Sequence, residues 1–143
     1  MLSPWADMSG SHTAPGSSAF TNAKSDYLVF PMNPYYVDAP RSFIQPFGLT
    51  FPASTPYLSP ACKKLDKVSF KDFPPTFITA GDAEILMDQI RTLQRRMKDD
   101  LGEDQVVYYE AKDAFHDYIC FPWAEPERSA TLIAIDRWTA GLQ

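Results

Sequence analysis

Two acidic residues and one histidine are placed where they could perform acid–base chemistry together. Asp82 and Glu84 follow the short apolar run at 76–80, and His116 follows a second apolar run at 105–110. Because ligands of open parallel sheets bind beyond the carboxyl ends of the strands, we expect these side chains to share one edge of a sheet. A carboxylate that accepts the Nδ1 proton of an imidazole fixes its tautomer, and Nε2 can then withdraw a proton. The placement therefore indicates a candidate catalytic pair.

The chain from residue 71 onward has the pattern of alternating strands and helices. Residues 76–80 form a β-branched and aromatic run that ends at Gly81, which predicts a buried parallel strand. A helix is expected next, ending at Gly102. Its apolar residues recur at helical spacing on one face, at Leu86, Ile90, Leu93 and Met97. A second strand at 105–110 completes a strand–helix–strand unit.

A last helix is expected to begin near residue 125. Pro126 suits the first turn of a helix, and Glu125 and Glu127 favour the positive end of the helix dipole. The predicted buried stripe of this helix consists of Leu132, Ile135, Trp138 and Leu142. The predicted fold class is therefore α/β, with a short parallel sheet and flanking helices.

The first 70 residues are rich in turn residues and prolines, and we expect them to form a pocket wall or cover. Small polar residues dominate 6–26, which predicts a loop. Seven of the 13 prolines lie at 31–60, so only short helical turns are expected there. Interleaved aromatic side chains indicate that this stretch packs against the rest of the chain, namely Phe30, Tyr35, Tyr36, Phe43, Phe47, Phe51 and Tyr57. The 143 residues suffice for one domain, with the candidate pair in 71–143.

The composition argues against several functional classes. Lys and Arg total 13 against 18 Asp and Glu, a net charge of -5 without basic clusters, so nucleic acid is not an expected partner. No apolar run reaches the roughly 20 residues of a membrane span, and residues 1–7 lack the pattern of a signal peptide. A cytoplasmic location is therefore expected. The histidines and cysteines lack metal-ligand spacing, so no metal or other cofactor is expected, and Cys62 and Cys120 are predicted to be buried free thiols.

Several segments resemble the hormone-sensitive-lipase-like family of α/β-hydrolases, whose members are serine esterases. Residues 73–88 are similar to the penultimate strand and acid loop of that family, and residues 113–127 to its catalytic-histidine loop and the entry to its last helix. Residues 57–60 and 2–5 match two further motifs, PYxSP and LLSPW. The resemblance covers essentially the whole chain and implies the C-terminal part of an α/β-hydrolase fold.

The resemblance implies a role for each candidate residue. Glu84 is the expected triad acid, with Asp82 as the alternative, and His116 is the expected base. Asp88 and Asp117 are expected to support this pair. Glu84 precedes His116 by 32 residues (116 minus 84), which is one helix plus one strand, and acid before histidine is the α/β-hydrolase order.

The serine nucleophile of such an enzyme has no counterpart in the sequence. A nucleophile elbow needs G-x-S-x-G, but no two of the six glycines are four residues apart, and no HGGG segment supplies an oxyanion hole. Ser17 and Ser18 follow Gly16 without a second glycine. We therefore expect roughly the C-terminal half of the fold, as a truncated product, an incomplete gene model or a degenerate relative.

Two functions follow from the resemblance, and whether this chain is an enzyme stays open at this point. The intact family implies hydrolysis of small carboxylic esters through an acyl-serine intermediate, and this chain alone is expected to be inactive. The alternative is a non-catalytic remnant that binds a ligand or a protein through an exposed sheet edge, by self-association or by pairing with a missing N-terminal half. An unrelated α/β binding domain is a third and weaker hypothesis.

Overall fold

The computed structural model describes residues 1–28, 42–48 and 50–142. Its helices and strands, in chain order, are α1 (Ser18–Thr21), β1 (Thr76–Gly81), α2 (Met87–Leu101), β2 (Val106–Ala111) and α3 (Glu127–Ala140). The predicted order of strand, helix, strand and helix after residue 71 is confirmed. Within the described residues, no helix has the length and apolarity that crossing a bilayer requires.

The described strands form a short parallel sheet. β1 and β2 pair in parallel along their whole lengths. On the other side of β1, Leu2 forms a parallel bridge with Thr79, and the Ser3 N–H donates to the Thr79 carbonyl at 2.9 Å. β1 therefore lies between β2 and the first residues of the chain, and all six of its residues are buried.

The two long helices cover opposite faces of this sheet. Ile78 and Ala80 of β1 belong to the main hydrophobic core, together with Ile90 and the other buried residues of α2. On the other face, the Phe77 ring lies 5.5 Å from the ring of Trp138 in α3. Because successive side chains of a strand point to opposite faces, this alternation places α2 on one side of β1 and α3 on the other.

The sequence predicted α2 closely. Its buried residues include the predicted Ile90, Leu93 and Met97. The helix ends at Leu101, and Gly102 follows with a φ of 99°, a conformation that favours glycine. The predicted stop at Gly102 is confirmed.

The buried stripe predicted for α3 is only partly present. Ile135 and Trp138 are half-buried, but Leu132 and Leu142 are exposed, so the prediction is wrong for these two leucines. The described part of the sheet is only two strands wide, with Leu2 at its edge, and covers part of the stripe. α3 consequently presents apolar side chains to solvent.

A chain of buried hydroxyl groups joins β1 to α3. The Tyr118 hydroxyl lies 2.8 Å from Thr79 Oγ1 and 2.6 Å from Thr131 Oγ1, and the Thr131 hydroxyl donates to the Glu127 carbonyl at 2.8 Å. Tyr118, Thr79 and Thr131 are each buried. Hydroxyl groups removed from water in this way stabilise a fold only while all of them remain paired.

Replacing Tyr118 by phenylalanine is therefore expected to destabilise the chain by about 1–3 kcal/mol, because the threonine hydroxyl on β1 loses its partner. Urea unfolding followed by circular dichroism measures the change. Tyr57→Phe removes a hydroxyl from a side chain that is 94% exposed and is the matched control, expected to be neutral. Equal stability of the two variants would contradict the structural role of this hydroxyl chain.

The described residues near the N-terminus are more structured than the sequence suggested. Residues 6–26 were predicted to be a loop, and the structure has turns there together with α1, so that prediction is wrong for one helical turn. Its polar side chains at 18, 22 and 25 bond to distant backbone, which no local pattern reveals. In the described part of the proline-rich stretch, the 3-10 helices Gln45–Phe47 and Phe51–Ser54 agree with the expectation of short helical turns.

One cysteine is less buried than predicted, and several aromatic side chains of the proline-rich stretch are exposed. Phe43, Phe47 and Tyr57 are exposed, while Phe30, Tyr35 and Tyr36 lie outside the described residues. The packing expected for this stretch therefore stays a prediction. Both cysteines are free, as predicted. Cys62 is buried, but Cys120 is exposed, although the other two residues of its 3-10 helix Tyr118–Cys120 are buried.

Candidate active site

The loops that follow β1 and β2 are bonded to each other. We call residues 82–85 the acid loop and residues 112–117 the histidine loop. The Asp82 N–H donates to the Ala111 carbonyl at 2.9 Å, and the Ala83 N–H donates to the Ala114 carbonyl at 3.0 Å. These bonds extend the parallel pairing of the strands into the loops, so the two loops have a fixed relative position.

Gly81 makes this close approach of the loops possible. A Cβ atom added at Gly81 would lie far inside van der Waals distance of the carbonyl group of Ala114. Any side chain at position 81 would therefore push the histidine loop away from the strand end.

Glu84 and His116 face each other across the two loops. His116 Nδ1 lies 3.1 Å from Glu84 Oε2, the Glu84 side chain is 0% exposed and that of His116 is 13% exposed. The structure thus brings together the two residues predicted to form the pair. The contact is the one through which a carboxylate fixes the tautomer of a catalytic histidine.

The surroundings of this pair change the pKa of both groups. Burial raises the pKa of the Glu84 carboxyl above its ordinary value, and the hydrogen bond with His116 and the neighbouring Ser3 hydroxyl only partly offset that effect. For His116, burial lowers the pKa, but the hydrogen bond to Glu84 and the negative charge of Asp117 outweigh it, so that the pKa is raised. Both Glu84 and His116 therefore keep a proton to higher pH than the same side chains would in water.

The other three predicted acids occupy different positions around the pair. Asp82 accepts the Asp113 N–H through Oδ1 at 2.6 Å and so bonds to the histidine loop. Asp88 accepts the Ser18 N–H at 2.9 Å. Asp117 has a left-handed conformation, with a φ of 52°, and its Oδ2 lies 3.3 Å from His116 Nε2. Of the four predicted acids, Glu84 contacts His116 Nδ1 and Asp117 contacts His116 Nε2.

The described residues place neither a hydroxyl partner on His116 Nε2 nor a metal-binding cluster at this pair. Within residues 1–28, 42–48 and 50–142, no hydroxyl group forms a hydrogen bond with His116 Nε2. Ser3 is close by, but its Oγ accepts the Asp117 N–H at 3.2 Å. In the same part of the chain, no three His, Cys, Asp or Glu side chains cluster in a way that could hold a metal ion.

Similar solved structures identify the fold of this chain. A crystal structure of an esterase/lipase from an uncultured bacterium matches 98% of this chain with a TM-score of 0.71 and 23% identity. A crystal structure of EstE5 soaked with ethyl alcohol matches 98% with a TM-score of 0.74 and 24% identity. Another EstE5 structure, soaked with p-nitrophenyl butyrate, matches 96% with a TM-score of 0.66 and 24% identity. This chain has the fold of the C-terminal part of an α/β-hydrolase.

This chain spans about two fifths of the length of these structures, since it covers 41%, 42% and 40% of the three. No protein-family profile and no curated protein matches it. The predicted resemblance to the C-terminal part of an α/β-hydrolase and the predicted fold class are confirmed by these structures. At identities below 25%, the likeness concerns the fold.

A cluster of aromatic side chains lies beside His116. The Tyr27 ring lies 5.8 Å from the His116 ring and 6.1 Å from the Phe115 ring, and Phe121 packs against both Tyr27 and Phe115. Burial and the nearby Asp117 raise the pKa of Tyr27 to about 12. The sequence did not single out Tyr27, because a lone tyrosine between a polar stretch and the proline-rich stretch has no distinctive spacing.

Proposed function

We propose that this chain contributes the general base and its acid to a serine carboxylic-ester hydrolase site. The observation that supports the proposal best is the 3.1 Å contact between His116 Nδ1 and the fully buried Glu84 carboxyl, at the carboxyl ends of parallel strands in an α/β-hydrolase fold. The substrate class is small carboxylic esters. The nucleophilic serine comes from polypeptide outside this sequence, in which no G-x-S-x-G occurs.

In the proposed reaction, His116 moves the proton and Glu84 keeps the imidazole oriented. Nε2 withdraws the serine proton as the serine oxygen attacks the ester carbonyl, and the resulting imidazolium is stabilised by the Glu84 carboxylate. The same Nε2–H then protonates the leaving alcohol, which leaves an acyl-serine that water hydrolyses by the reverse sequence. Asp117 has to turn away from Nε2 in such a site, and its 37% exposed side chain has room to do so.

The isolated chain is expected to hydrolyse p-nitrophenyl acetate and p-nitrophenyl butyrate no faster than its His116→Ala variant. Without a nucleophile-elbow serine and an oxyanion hole, neither the covalent step nor the stabilisation of the tetrahedral intermediate is available. The raised pKa of His116 further reduces the fraction of neutral imidazole at neutral pH. Release of p-nitrophenol is the measurement. Turnover that disappears in His116→Ala would show that an unrecognised nucleophile is present.

A chimera tests the positive part of the proposal. The C-terminal two fifths of an esterase such as EstE5 would be replaced by this chain, which supplies strand, acid loop and histidine loop in the same fold. The folded chimera is expected to hydrolyse p-nitrophenyl butyrate. A chimera that melts cooperatively but has no activity above that of its His116→Ala variant would contradict the proposed function.

A second candidate function is binding without catalysis, through the sheet edge beside the first residues. Met1 and Leu2 at this edge and Leu132, Ile133 and Leu142 in or after α3 are all exposed apolar side chains. Such a surface favours association with polypeptide that adds a strand and covers the helix. Light scattering on the isolated chain used in the ester assay decides this candidate, since a monomer at all concentrations contradicts self-association.

A further inference from the structure

The acid loop is bonded on its second side by side chains from the polar segment 18–26, which lies about 60 residues earlier in the chain. Asn22 is central to this contact. Its Nδ2 donates to the carbonyls of both Asp82 and Glu84, each at 3.0 Å. An amide nitrogen carries two N–H donors, so one side chain can bridge two carbonyls of the same loop.

Two serines bond to the remaining carbonyls of the acid loop. The Ser25 hydroxyl donates to the Ala83 carbonyl at 2.8 Å, and the Ser18 hydroxyl donates to the Ile85 carbonyl at 2.9 Å. All four consecutive carbonyls of residues 82–85 therefore accept a side-chain hydrogen bond from segment 18–26. Such a complete set fixes the path of a loop that is neither helix nor strand.

A buried carboxylate and a reciprocal pair hold the end of the same loop. Asp26 is buried, and its Oδ2 accepts the Ile85 N–H at 2.8 Å. Ser18 and Asp88 bond reciprocally, since the Ser18 N–H donates to the Asp88 carboxylate at 2.9 Å and the Asp88 N–H donates to Ser18 Oγ at 3.0 Å. The segment is therefore attached at both ends of the acid loop.

The spacing of these side chains follows from the local structure of the segment. Ser18 opens the helical turn α1 and Asn22 follows it directly, so they lie four residues apart on one face. Ser25 and Asp26 follow at the end of the turn at residues 22–25. Polar side chains at 18, 22 and 25 or 26 thus point toward one strip of backbone.

We propose that segment 18–26 is a positioning clamp for Glu84, with Asn22 as its central residue. The clamp keeps the Glu84 carboxyl within hydrogen-bonding distance of His116 Nδ1 by fixing the loop backbone on both sides of Glu84. Catalytic groups need supporting contacts of this kind to stay within about 0.5 Å of a productive geometry. That the clamp positions a catalytic acid rests on the proposed function. Its effect on the distance between Glu84 and His116 does not depend on that function.

The pKa of His116 shows whether the clamp holds Glu84 in place, and its measurement needs no enzyme activity. The charged groups that affect this histidine are Asp117, Glu84 and Asp26, and Asn22→Ala alters none of them. A change in the His116 pKa in this variant therefore reports a change in geometry. The imidazole ring protons of the two histidines can be followed by NMR as the pH is varied, with His116→Ala used to assign the signals.

In Asn22→Ala, the pKa of His116 is expected to fall toward the ordinary value of histidine, because the loosened loop weakens the bond to Glu84. His12 is an internal control. It is buried, its Nε2 lies 2.9 Å from the Ala61 carbonyl, and burial lowers its pKa. Its pKa is expected to stay low. If Asn22→Ala instead unfolded the whole N-terminal segment, His12 would become exposed. Its pKa would then rise while that of His116 fell.

Thr13→Ala is the matched control variant. It removes an exposed hydroxyl of the same N-terminal region that bonds only locally, to the Gly10 carbonyl at 2.7 Å. Neither histidine is expected to change in this variant. A His116 pKa in Asn22→Ala equal to that in Thr13→Ala would overturn the proposal.

If Asn22→Ala unfolds segment 18–26, the variant Ser25→Ala tests the clamp instead. Its hydroxyl is exposed, and its bond to Ala83 can be removed at small structural cost. The expected result is again a lowered His116 pKa with an unchanged His12 pKa, and an unchanged His116 pKa in a folded Ser25→Ala variant would overturn the clamp. Failure of the chimera to hydrolyse esters would refute the proposed function alone, because the NMR titration does not depend on turnover.

Discussion

Gly81→Ala is expected to lower the free energy of unfolding by about 3 kcal/mol or more, because the new methyl group would overlap the backbone of the histidine loop. The atoms it meets are the carbonyl carbon and oxygen of Ala114, which cannot rotate away as a side chain could. The loops are also joined there by the bond from Ala83 to Ala114, so relief of the overlap breaks this bond as well. For a chain of this size, such a loss corresponds to a drop of about 10 °C in Tm.

Thermal unfolding followed by circular dichroism measures this effect, and Gly141→Ala is its matched control. Gly141 follows α3 with a helical φ of -78°, and a Cβ there would meet its nearest atom, the Trp138 carbonyl oxygen, at 3.4 Å. Alanine at 141 is expected to be neutral or slightly stabilising. A Gly81→Ala variant within about 1 kcal/mol of the original chain would mean that the two loops are not in the close contact described above.

Glu84→Gln is expected to have the largest effect on the chemistry of the site. Glutamine keeps the size of the side chain but loses the negative charge that stabilises the imidazolium, so the pKa of His116 should fall. In the esterase chimera, the same change is expected to reduce kcat by about 10³–10⁴-fold. Asp82→Asn is the matched control, because an amide oxygen at position 82 can still accept the Asp113 N–H. A larger loss in Asp82→Asn than in Glu84→Gln would make Asp82 the acid.

The pH dependence of stability gives a second readout of Glu84→Gln. The pKa of His116 is raised in the folded chain, so its contribution to stability is complete below the pKa of the unfolded chain and is lost as the pH rises through the folded pKa. The pKa of Glu84 is also raised, which gives the same sign at lower pH. Stability of the original chain relative to Glu84→Gln should therefore decrease with rising pH across the range in which His116 titrates. A pH-independent difference would contradict the coupling.

Periodic features of the sequence were sufficient to predict the regular part of the fold. Residues at helical spacing in α2, the apolar run of β1 and the stop at Gly102 are local signals that tertiary packing reinforces. The buried stripe predicted for α3 was wrong at Leu132 and Leu142. Burial depends on how much of the sheet lies beneath the helix and not on the spacing of apolar residues alone. The predicted burial of Cys120 was wrong for a similar reason, since its exposure depends on where the 3-10 helix Tyr118–Cys120 lies in the fold.

The candidate site was predictable in part. Strand-end placement and motif spacing indicated Glu84 and His116, and the structure has them 3.1 Å apart. The choice between Glu84 and Asp82 could not be made from composition, because both follow the same strand. Asn22 was missed altogether, since its bonds to backbone 60 and 62 residues away leave no period in the sequence.

The two-sided attachment of the acid loop restricts how this chain can diverge. The N–H groups of Asp82 and Ala83 bond to the end of β2 and to the histidine loop, respectively. The carbonyls of residues 82–85 bond instead to Asn22 and the serines near it. A lineage that replaces one of these polar side chains must acquire another donor for the same carbonyl, or shift the loop and with it the acid. Substitutions in two stretches separated by some 60 positions should therefore accumulate together in evolution, even though neither stretch has to contact a substrate.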